Sequence, residues 1–152
     1  MATYTTVTRS NFFTALWNNV FETLNDNLTD PSSRGTKWIF ASFPYKLIND
    51  KSAYPFVVIE PVNITSSEDI TLTKELTTVN ISITIYAVDP NHLDSIGSDI
   101  LNQMFSADGT FHTYNMKVID VNNSTYTHAV KSKSFRIHAR TITFSFQVGI
   151  WQ

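Results

Sequence analysis

The N-terminal part of the chain has apolar residues at every third or fourth position, the spacing that places them on one face of an α-helix. These residues are Phe12, Phe13, Leu16, Val20 and Leu24. Trp17 and Phe21 widen this face, and we interpret them as core residues rather than as an exposed contact face. Because Thr8 or Ser10 can cap the N-terminus, we predict a helix from about Thr8 to Asn27.

Two further segments have the hydrophobic pattern of β-strands. The run FVVIE between Pro55 and Pro61 has no polar alternation, which indicates a strand buried on both faces. The polar segment from Asn63 to Glu68 is expected to be mobile. The segment from Asp69 to Ala87 alternates apolar and polar residues, but its apolar parity changes near Thr77–Thr78. We predict a β-bulge there, since the alternative, two strands joined by a tight turn, lacks turn-forming residues.

The next segment has the signals of a helix start. Asp89 suits the N-cap, and Pro90 suits the first helical position, where its missing N–H costs nothing. The apolar residues that follow have helical spacing: Leu93, Ile96, Ile100, Leu101 and Met104. Gly97 falls on the same face and would allow close approach to a strand or helix. We predict a helix from Asp89 to Phe105, and then a turn-containing segment from Ser106 to Thr113.

The C-terminal part predicts two more strands. Tyr114 to Val121 forms the first, Asn122 to Thr125 a polar turn, and Ser134 to Trp151 a long alternating strand. The parity of this last strand changes at Arg140–Thr141, which again predicts a bulge. We expect the two long strands to be antiparallel neighbours. The fold class indicated is α+β, with a mixed, mainly antiparallel sheet, long bulged strands and two helices packed on the sheet.

Length and composition indicate a single domain that covers residues 1–152 and can bury a core. The chain is 42% hydrophobic but only 16% charged, and its polar residues are mainly Thr, Ser and Asn, a surface that suits protein–protein contact. The net charge of −2 gives no global attraction to nucleic acid or membrane. The sequence has no signal-peptide pattern and no apolar run near the roughly 20 residues of a membrane span. We therefore expect a protein made and used in a cytoplasm, or in a particle assembled there.

Residues that could carry chemistry are scattered. The absence of cysteine excludes disulfides, thiolate catalysis and cysteine-ligated metals. The four histidines lack the i,i+4 spacing of a helical metal pair, and there is no HExxH sequence. The chain has no GxSxG nucleophile motif and, with only four glycines, no phosphate-binding glycine loop. We therefore expect no catalytic residues, no metal, no cofactor and no enzyme activity.

One charge asymmetry stands out near the C-terminus. The segment from Tyr126 to Arg140 contains no acidic residue. Its cations, hereafter the basic strip, are Lys131, Lys133, Arg136 and Arg140. The strip is either a surface that touches phosphate or an acidic partner, or the solvated face of an edge strand, where lysine also opposes aggregation. It lacks the interleaved aromatic residues of a single-strand nucleic-acid binder.

Four stretches together resemble a known family. They are YPFVVIE, VNISITIYAVD, the following HLDSIGSDILNQMF, and FRIHARTITFSFQV near the C-terminus. Their order and hydrophobic positions resemble those of the tail terminator (tail completion) proteins of long-tailed bacteriophages. The resemblance implies a subunit with a mixed, mainly antiparallel sheet and two helices. It also implies a ring, usually a hexamer, on the head-proximal end of the tail tube, which stops tube polymerisation and docks to the head connector while DNA passes through its lumen.

The resemblance also implies positions for the contacts. The segments Asn63 to Lys74 and Ser106 to Thr113 become candidate interface or lumen loops, and the basic strip could face DNA or a neighbouring subunit. The candidate interface or lumen residues are Glu68, Asp69, Lys74, Lys131, Lys133, Arg136 and Arg140. The implied partners are further copies of the chain, the tail tube protein, the head completion or connector protein and the DNA in the lumen, with no membrane. The expected location is the tail or neck of a virion.

Three alternatives remain open from the sequence. Other neck or head–tail connector subunits have a similar pattern. A tail-tube subunit would polymerise without limit rather than stop at a ring. A small-ligand-binding α+β domain would place convergent polar groups in a deep pocket, and the sequence shows no such cluster.

Overall fold

The computed structural model describes residues 2–71, 74–131 and 135–151. Within these ranges, the strands form a single sheet accompanied by three α-helices and two short 3-10 turns. The α+β class is therefore confirmed. In chain order the elements are α1 (Phe12–Asn27), β1 (Ile39–Phe40), the 3-10 turns Tyr45–Leu47 and Lys51–Ala53, β2 (Phe56–Ile59), β3 (Asn63–Thr71), β4 (Lys74–Ala87), α2 (Pro90–Ser106), α3 (Asp108–Thr113), β5 (Met116–Lys131) and β6 (Arg136–Trp151).

The sheet has the strand order β1-β2-β4-β6-β5, with β3 paired to β4 outside this path. Strand β2 pairs with residues 83–86 of β4, and β3 pairs with residues 74–80, so β2 and β3 lie end to end along one side of β4. The β1–β2 pair is parallel and every other pair is antiparallel. The prediction of a mixed, mainly antiparallel sheet with the two long strands as neighbours is confirmed.

The main core lies between the sheet and the helices. On β4 and β6 it uses alternate residues that pair with each other, such as Ile83 with Ile142 and Ile81 with Phe144, all fully buried. Buried residues of α1, α2 and α3, among them Leu16, Ile100 and Phe111, pack against them. Because burial of each large apolar side chain contributes about 1.5–3 kcal/mol, this one-sided packing fixes all three helices to the same face of the sheet.

A second, smaller cluster lies on the opposite face. It consists of Tyr54, Phe56 and Ile137, surrounded by partly buried aromatic residues. This cluster explains the parity change in β6. Residues before Arg140 bury their apolar side chains on the second face, and residues after it bury them on the helix face. The β6 strand changes the face it buries without inserting a residue.

Both predicted bulges are therefore wrong. The pairing of β4 with β6 runs without interruption from Lys74–Trp151 to Ala87–His138. This range includes Thr77–Thr78 and Arg140–Thr141. The register shifts occur instead on β3 and β5, the strands beside this central pair. A long strand paired continuously on one side leaves its neighbour to accommodate the irregularity.

One segment predicted to be mobile and two predicted to contain turns also differ from the structure. Asn63 to Glu68, expected to be mobile, lies within β3, which pairs antiparallel with β4, so the segment from 69 to 87 spans parts of two strands. Asn122 to Thr125 lies inside β5 rather than in a turn. The segment Ser106 to Thr113 contains α3, so the sheet carries three helices rather than two.

Both long helices bury most of the apolar face that the sequence predicts, but α1 begins later than predicted and exposes Phe13. Helix α2 begins as expected, and the Asp89 side chain accepts a hydrogen bond from the Asn91 N–H at 3.0 Å. Helix α1 begins at Phe12, and neither Thr8 nor Ser10 caps it. Phe13, expected on the buried face, is 53% exposed. Trp17 and Phe21 are half-buried against the main core, with their rings stacked.

Candidate assembly surfaces

The sheet ends laterally in two long strands that each have one strand partner in the described part of the chain. Strand β3 pairs with β4, and β5 pairs with β6. Three exposed apolar side chains lie on these two strands, namely Ile64 on β3 and Ile119 and Tyr126 on β5. An edge strand offers backbone donors and acceptors to a further strand. These two edges are therefore the surfaces best suited to self-association.

The beginning of the β5 edge is partly closed. The Asp108 carboxylate of α3 accepts a hydrogen bond from the Val118 N–H at 2.8 Å. The Asp120 carboxylate accepts one from the Val121 N–H, also at 2.8 Å. Register shifts on either side of Asp120 further disrupt the strand. Side-chain capping and bulges are the devices by which proteins protect edges, so strand addition at this end of β5 is unfavourable.

The helix-free face of the central strands is polar but uncharged. Cross-strand pairs join Ser82 to Thr143 and Thr84 to Thr141, with hydroxyl oxygens 2.9 and 3.0 Å apart. The Ser145 hydroxyl donates to the Asn80 side-chain oxygen at 2.7 Å. Such paired side chains satisfy one another across a strand pair. This face is therefore neutral and rich in hydroxyl groups, of which those of Ser82, Thr141 and Thr143 are partly exposed and those of Thr84 and Ser145 are buried.

The described residues of the basic strip lie in two different environments. Arg136 is exposed at the start of β6 and pairs in register with Lys131 at the end of β5. Arg140 instead points to α2, where its Nη2 lies 2.9 Å from a carboxylate oxygen of Asp94. The Arg140 side chain is only 27% exposed. Lys133 lies outside the described residues. Arg140 therefore belongs to the helix–sheet contact, while Lys131 and Arg136 remain at the sheet end.

The acidic candidates lie at the other end of the sheet. Glu68 and Asp69 belong to β3 and pair in register with Leu76 and Glu75. Lys74 begins β4. These residues belong to a β-hairpin and not to a loop, which corrects the expectation for Asn63 to Lys74. The structure therefore does not bring the acidic candidates and the basic strip together within one subunit.

A second group of cations was missed in the sequence analysis. Lys37, Lys46 and Lys51 are exposed in and beside the loop that covers the second aromatic cluster. That cluster joins the loop to the start of β6, because the Tyr54 and Phe135 rings lie 5.7 Å apart. The sequence signal was present, since residues 34–51 contain four basic residues and one acid. Their separation along the chain hid their shared location.

One cleft of about 310 Å³ is lined by Lys51, Tyr54, Pro55, Val88, Asp89 and His92. Burial raises the pKa of Tyr54 to about 12, and its hydroxyl donates to the Ile48 carbonyl at 3.0 Å. Among the hydrogen bonds of the described residues, none joins a hydroxyl nucleophile to a base in this cleft.

Within residues 2–71, 74–131 and 135–151, no group of three or more His, Asp or Glu side chains could hold a metal ion. None of the helices described has the length and apolar character required to cross a bilayer. No protein-family model matches the chain, and no curated protein matches it. Function is therefore inferred from the sequence resemblance and from the surfaces described above.

Proposed function

We propose that this chain is a virion structural subunit of the tail terminator type. Copies of it form a ring, most simply a hexamer, on the head-proximal end of a phage tail tube. The ring stops tube polymerisation and joins the tail to the head completion or connector protein, and DNA passes through its lumen. The proposal assigns no catalytic residue, metal or cofactor to the chain.

The observation that carries this proposal is the pair of outer strands on opposite sides of one sheet. Strand β3 is antiparallel to β4, β4 to β6, and β6 to β5. Strands β3 and β5 therefore run in opposite directions. If a copy related by rotation about an axis along the strands brings its β3 beside β5, the new strand pair is antiparallel, as are all pairs inside the subunit except β1–β2. Such a head-to-tail interface is heterologous, and it closes into a ring when the rotation divides a full turn.

The one-sided placement of the helices gives such a ring two different surfaces. Helices α1, α2 and α3 pack on one face of the sheet through the main core. The other face presents the neutral hydroxyl ladder that includes Ser82 and Thr143. With the bulkier helical layer outside, the hydroxyl ladder lines the lumen. A surface without charge pairs suits the passage of a polyanion, because it offers no strong sites at which DNA would be held.

Termination then follows from geometry and not from chemistry. A tail-tube subunit must present complementary surfaces at both ends of its ring, so that rings stack without limit. A terminator presents the tube-binding surface at one end only. The sequence places Glu68, Asp69 and Glu75 together with Lys74 at one end of the sheet, and Lys131 and Arg136 at the other. This difference supports a ring whose two ends bind different partners.

The proposed function is tested by adding the purified chain to polymerising tail-tube protein from the same virus. We expect tubes that stop growing and carry one extra ring at one end, observed by negative-stain electron microscopy. Incorporation of the chain along the whole tube would instead identify a tail-tube subunit. Tubes of unchanged length without an added ring would contradict the terminator proposal.

A further inference from the structure

The charges of this chain are segregated by element. Helices α1, α2 and α3 contain no Lys or Arg. Their acidic residues are Glu22, Asp26, Asp94, Asp99 and Asp108. The basic residues lie mainly in the loop before β2 and around the β5–β6 turn. A net charge of −2 therefore conceals an acidic helical layer and a basic region elsewhere on the molecule.

The basic region is assembled by tertiary structure at one end of the sheet. We define this basic end by its members: Lys37, Lys46, Lys51 and Arg136. The second aromatic cluster holds the two contributing segments together, with the rings of Tyr54 and Phe56 stacked 4.9 Å apart and Ile137 buried beside them. The Tyr54 ring also lies 5.7 Å from that of Phe135, the residue before Arg136.

The cations of the loop are available to a ligand. Lys37, Lys46 and Lys51 are exposed, and in the described part of the chain none of them forms an ion pair with a carboxylate. Lys37 Nζ lies 5.4 Å from the centre of the Phe40 ring, which orients it without neutralising it. Tyr45, beside Lys46, is 76% exposed.

The carboxylates near this end have other roles or lie at its border. The Asp50 carboxylate accepts hydrogen bonds from the Ser52 N–H and hydroxyl. Asp30 is engaged by Arg34, which it contacts at 2.8 Å. Asp89 lines a cleft with Lys51. Burial, and secondarily the Glu60 charge, raise the pKa of Tyr86. Hydrogen bonds from neutral groups do not cancel a carboxylate charge, so the charge of this end is positive because its cations outnumber the nearby Asp50 and Asp89.

Residue type distinguishes between two classes of partner. Lysine is depleted at protein–protein interfaces, where a flexible, strongly hydrated ammonium is costly to bury. Phosphate backbones, in contrast, are contacted by exposed Lys and Arg without full desolvation. Three of the four cations in the basic end are exposed lysines, Lys37 before β1 and Lys46 and Lys51 after it. This composition favours a phosphate polyanion over an acidic protein.

We propose that the basic end binds the phosphate backbone of duplex DNA independently of base sequence. This inference rests on the proposed function, in which DNA passes each subunit, and deepens it by naming the end of the subunit that contacts the DNA at the mouth of the lumen. The acidic helical layer is repelled by the same polyanion, so the subunit is oriented with its basic end toward the duplex. The neutral hydroxyl ladder beside it makes no competing charged contact.

The test measures fluorescence anisotropy of labelled duplexes of two unrelated sequences, titrated with the full chain from low to physiological ionic strength. We expect equal affinity for both sequences and a logarithmic salt slope of about −0.9 for each phosphate contact. Lys46→Glu should weaken binding roughly tenfold and reduce the slope by about one contact. Lys117→Glu is the matched control, because Lys117 is exposed at the opposite end of the sheet and undergoes the same charge change.

Several results would overturn this inference. One is the absence of binding at low salt, and another is equal weakening of binding by the two variants. A third is competition by poly-glutamate as effective as that of unlabelled DNA, which would indicate an acidic protein partner. Circular dichroism of both variants excludes misfolding as the cause. Light scattering on the same samples keeps the two proposals separate. A ring that does not bind DNA refutes only this inference, and DNA binding by a monomer refutes only the ring.

Discussion

At the residue scale, single polar side chains decide how the peripheral segments attach to the core. Asn19 is fully buried on α1. Its amide oxygen accepts from the Thr5 N–H and its amide nitrogen donates to the Thr5 carbonyl, both at 2.8 Å. The side chain thus replaces a strand partner for the N-terminal segment. A buried asparagine in an apolar helix pattern is costly unless satisfied in this way.

We predict that Asn19→Ala lowers the free energy of unfolding by about 1–3 kcal/mol, because two partly buried hydrogen bonds to the backbone of Thr5 are lost at a fully buried position of α1. Asn18→Ala is the control. It removes one 3.3 Å hydrogen bond to Thr3 from a less buried position and should cost at most about 1 kcal/mol. Urea denaturation followed by circular dichroism measures both. Equal losses in the two variants would show that Asn19 does not anchor the segment.

Substitution of Gly97 by alanine, in contrast to Asn19→Ala, is expected to increase stability. A Cβ at this position would lie 3.5 Å from Arg140 Cδ and 3.7 Å from Ile85 Cδ1, which are ordinary van der Waals distances. The helix does approach the sheet here, as expected from the sequence, but a methyl group fits. Gly97→Ala should therefore raise the free energy of unfolding by about 0.5–1 kcal/mol through helix propensity. Gly97→Leu should lower it, because its longer side chain overlaps these atoms. Thermal unfolding of both variants tests the contrast.

At the element scale, the elements with strong local signals were predictable. The Asp89–Pro90 start of α2 and the β2 run between prolines were both confirmed. The parity changes were misinterpreted because sequence alone does not show that a strand can bury different faces along its length. Strand β6 does so when the Tyr54 cluster covers its first residues. Likewise, β5 continues through Asn122 to Thr125 because its partner β6 continues beside it.

The candidate site was less predictable than the fold. The basic strip is contiguous in sequence, yet strand alternation and helix packing direct Arg140 to Asp94. The loop lysines are dispersed in sequence, and only the aromatic cluster brings them near Arg136. Edge positions are likewise invisible in the sequence, because the order of strands in the sheet decides which strands have a single partner. These features depend on tertiary contacts between distant segments.

The hydrogen bond between the Asp108 carboxylate and the Val118 N–H at the edge of β5 leads to a prediction. Asp108→Ala removes the carboxylate that occupies the Val118 N–H, so the beginning of the β5 edge becomes open to another strand. We expect greater concentration-dependent association, and slower or incomplete refolding through aggregation. Asp99→Ala, an exposed change of the same charge on α2, is the control. Dynamic light scattering compares the two. Unchanged association of the Asp108 variant would indicate that the cap does not protect the edge.

At the scale of the whole molecule, the account depends on asymmetry. One sheet carries helices on one face, hydroxyl pairs on the other, outer strands of opposite direction at its sides and opposite charges at its ends. Outer strands of opposite direction are compatible with head-to-tail contacts, which close into a ring when the rotation divides a full turn. The proposed ring with unlike ends uses these asymmetries.

The most direct test of this central claim is the mass of the purified chain in solution, measured by multi-angle light scattering over a range of concentrations, with negative-stain images of the same samples. The account predicts a discrete hexamer that appears as a ring with a central hole. Open-ended tubes, or a monomer that persists at every concentration, would contradict it.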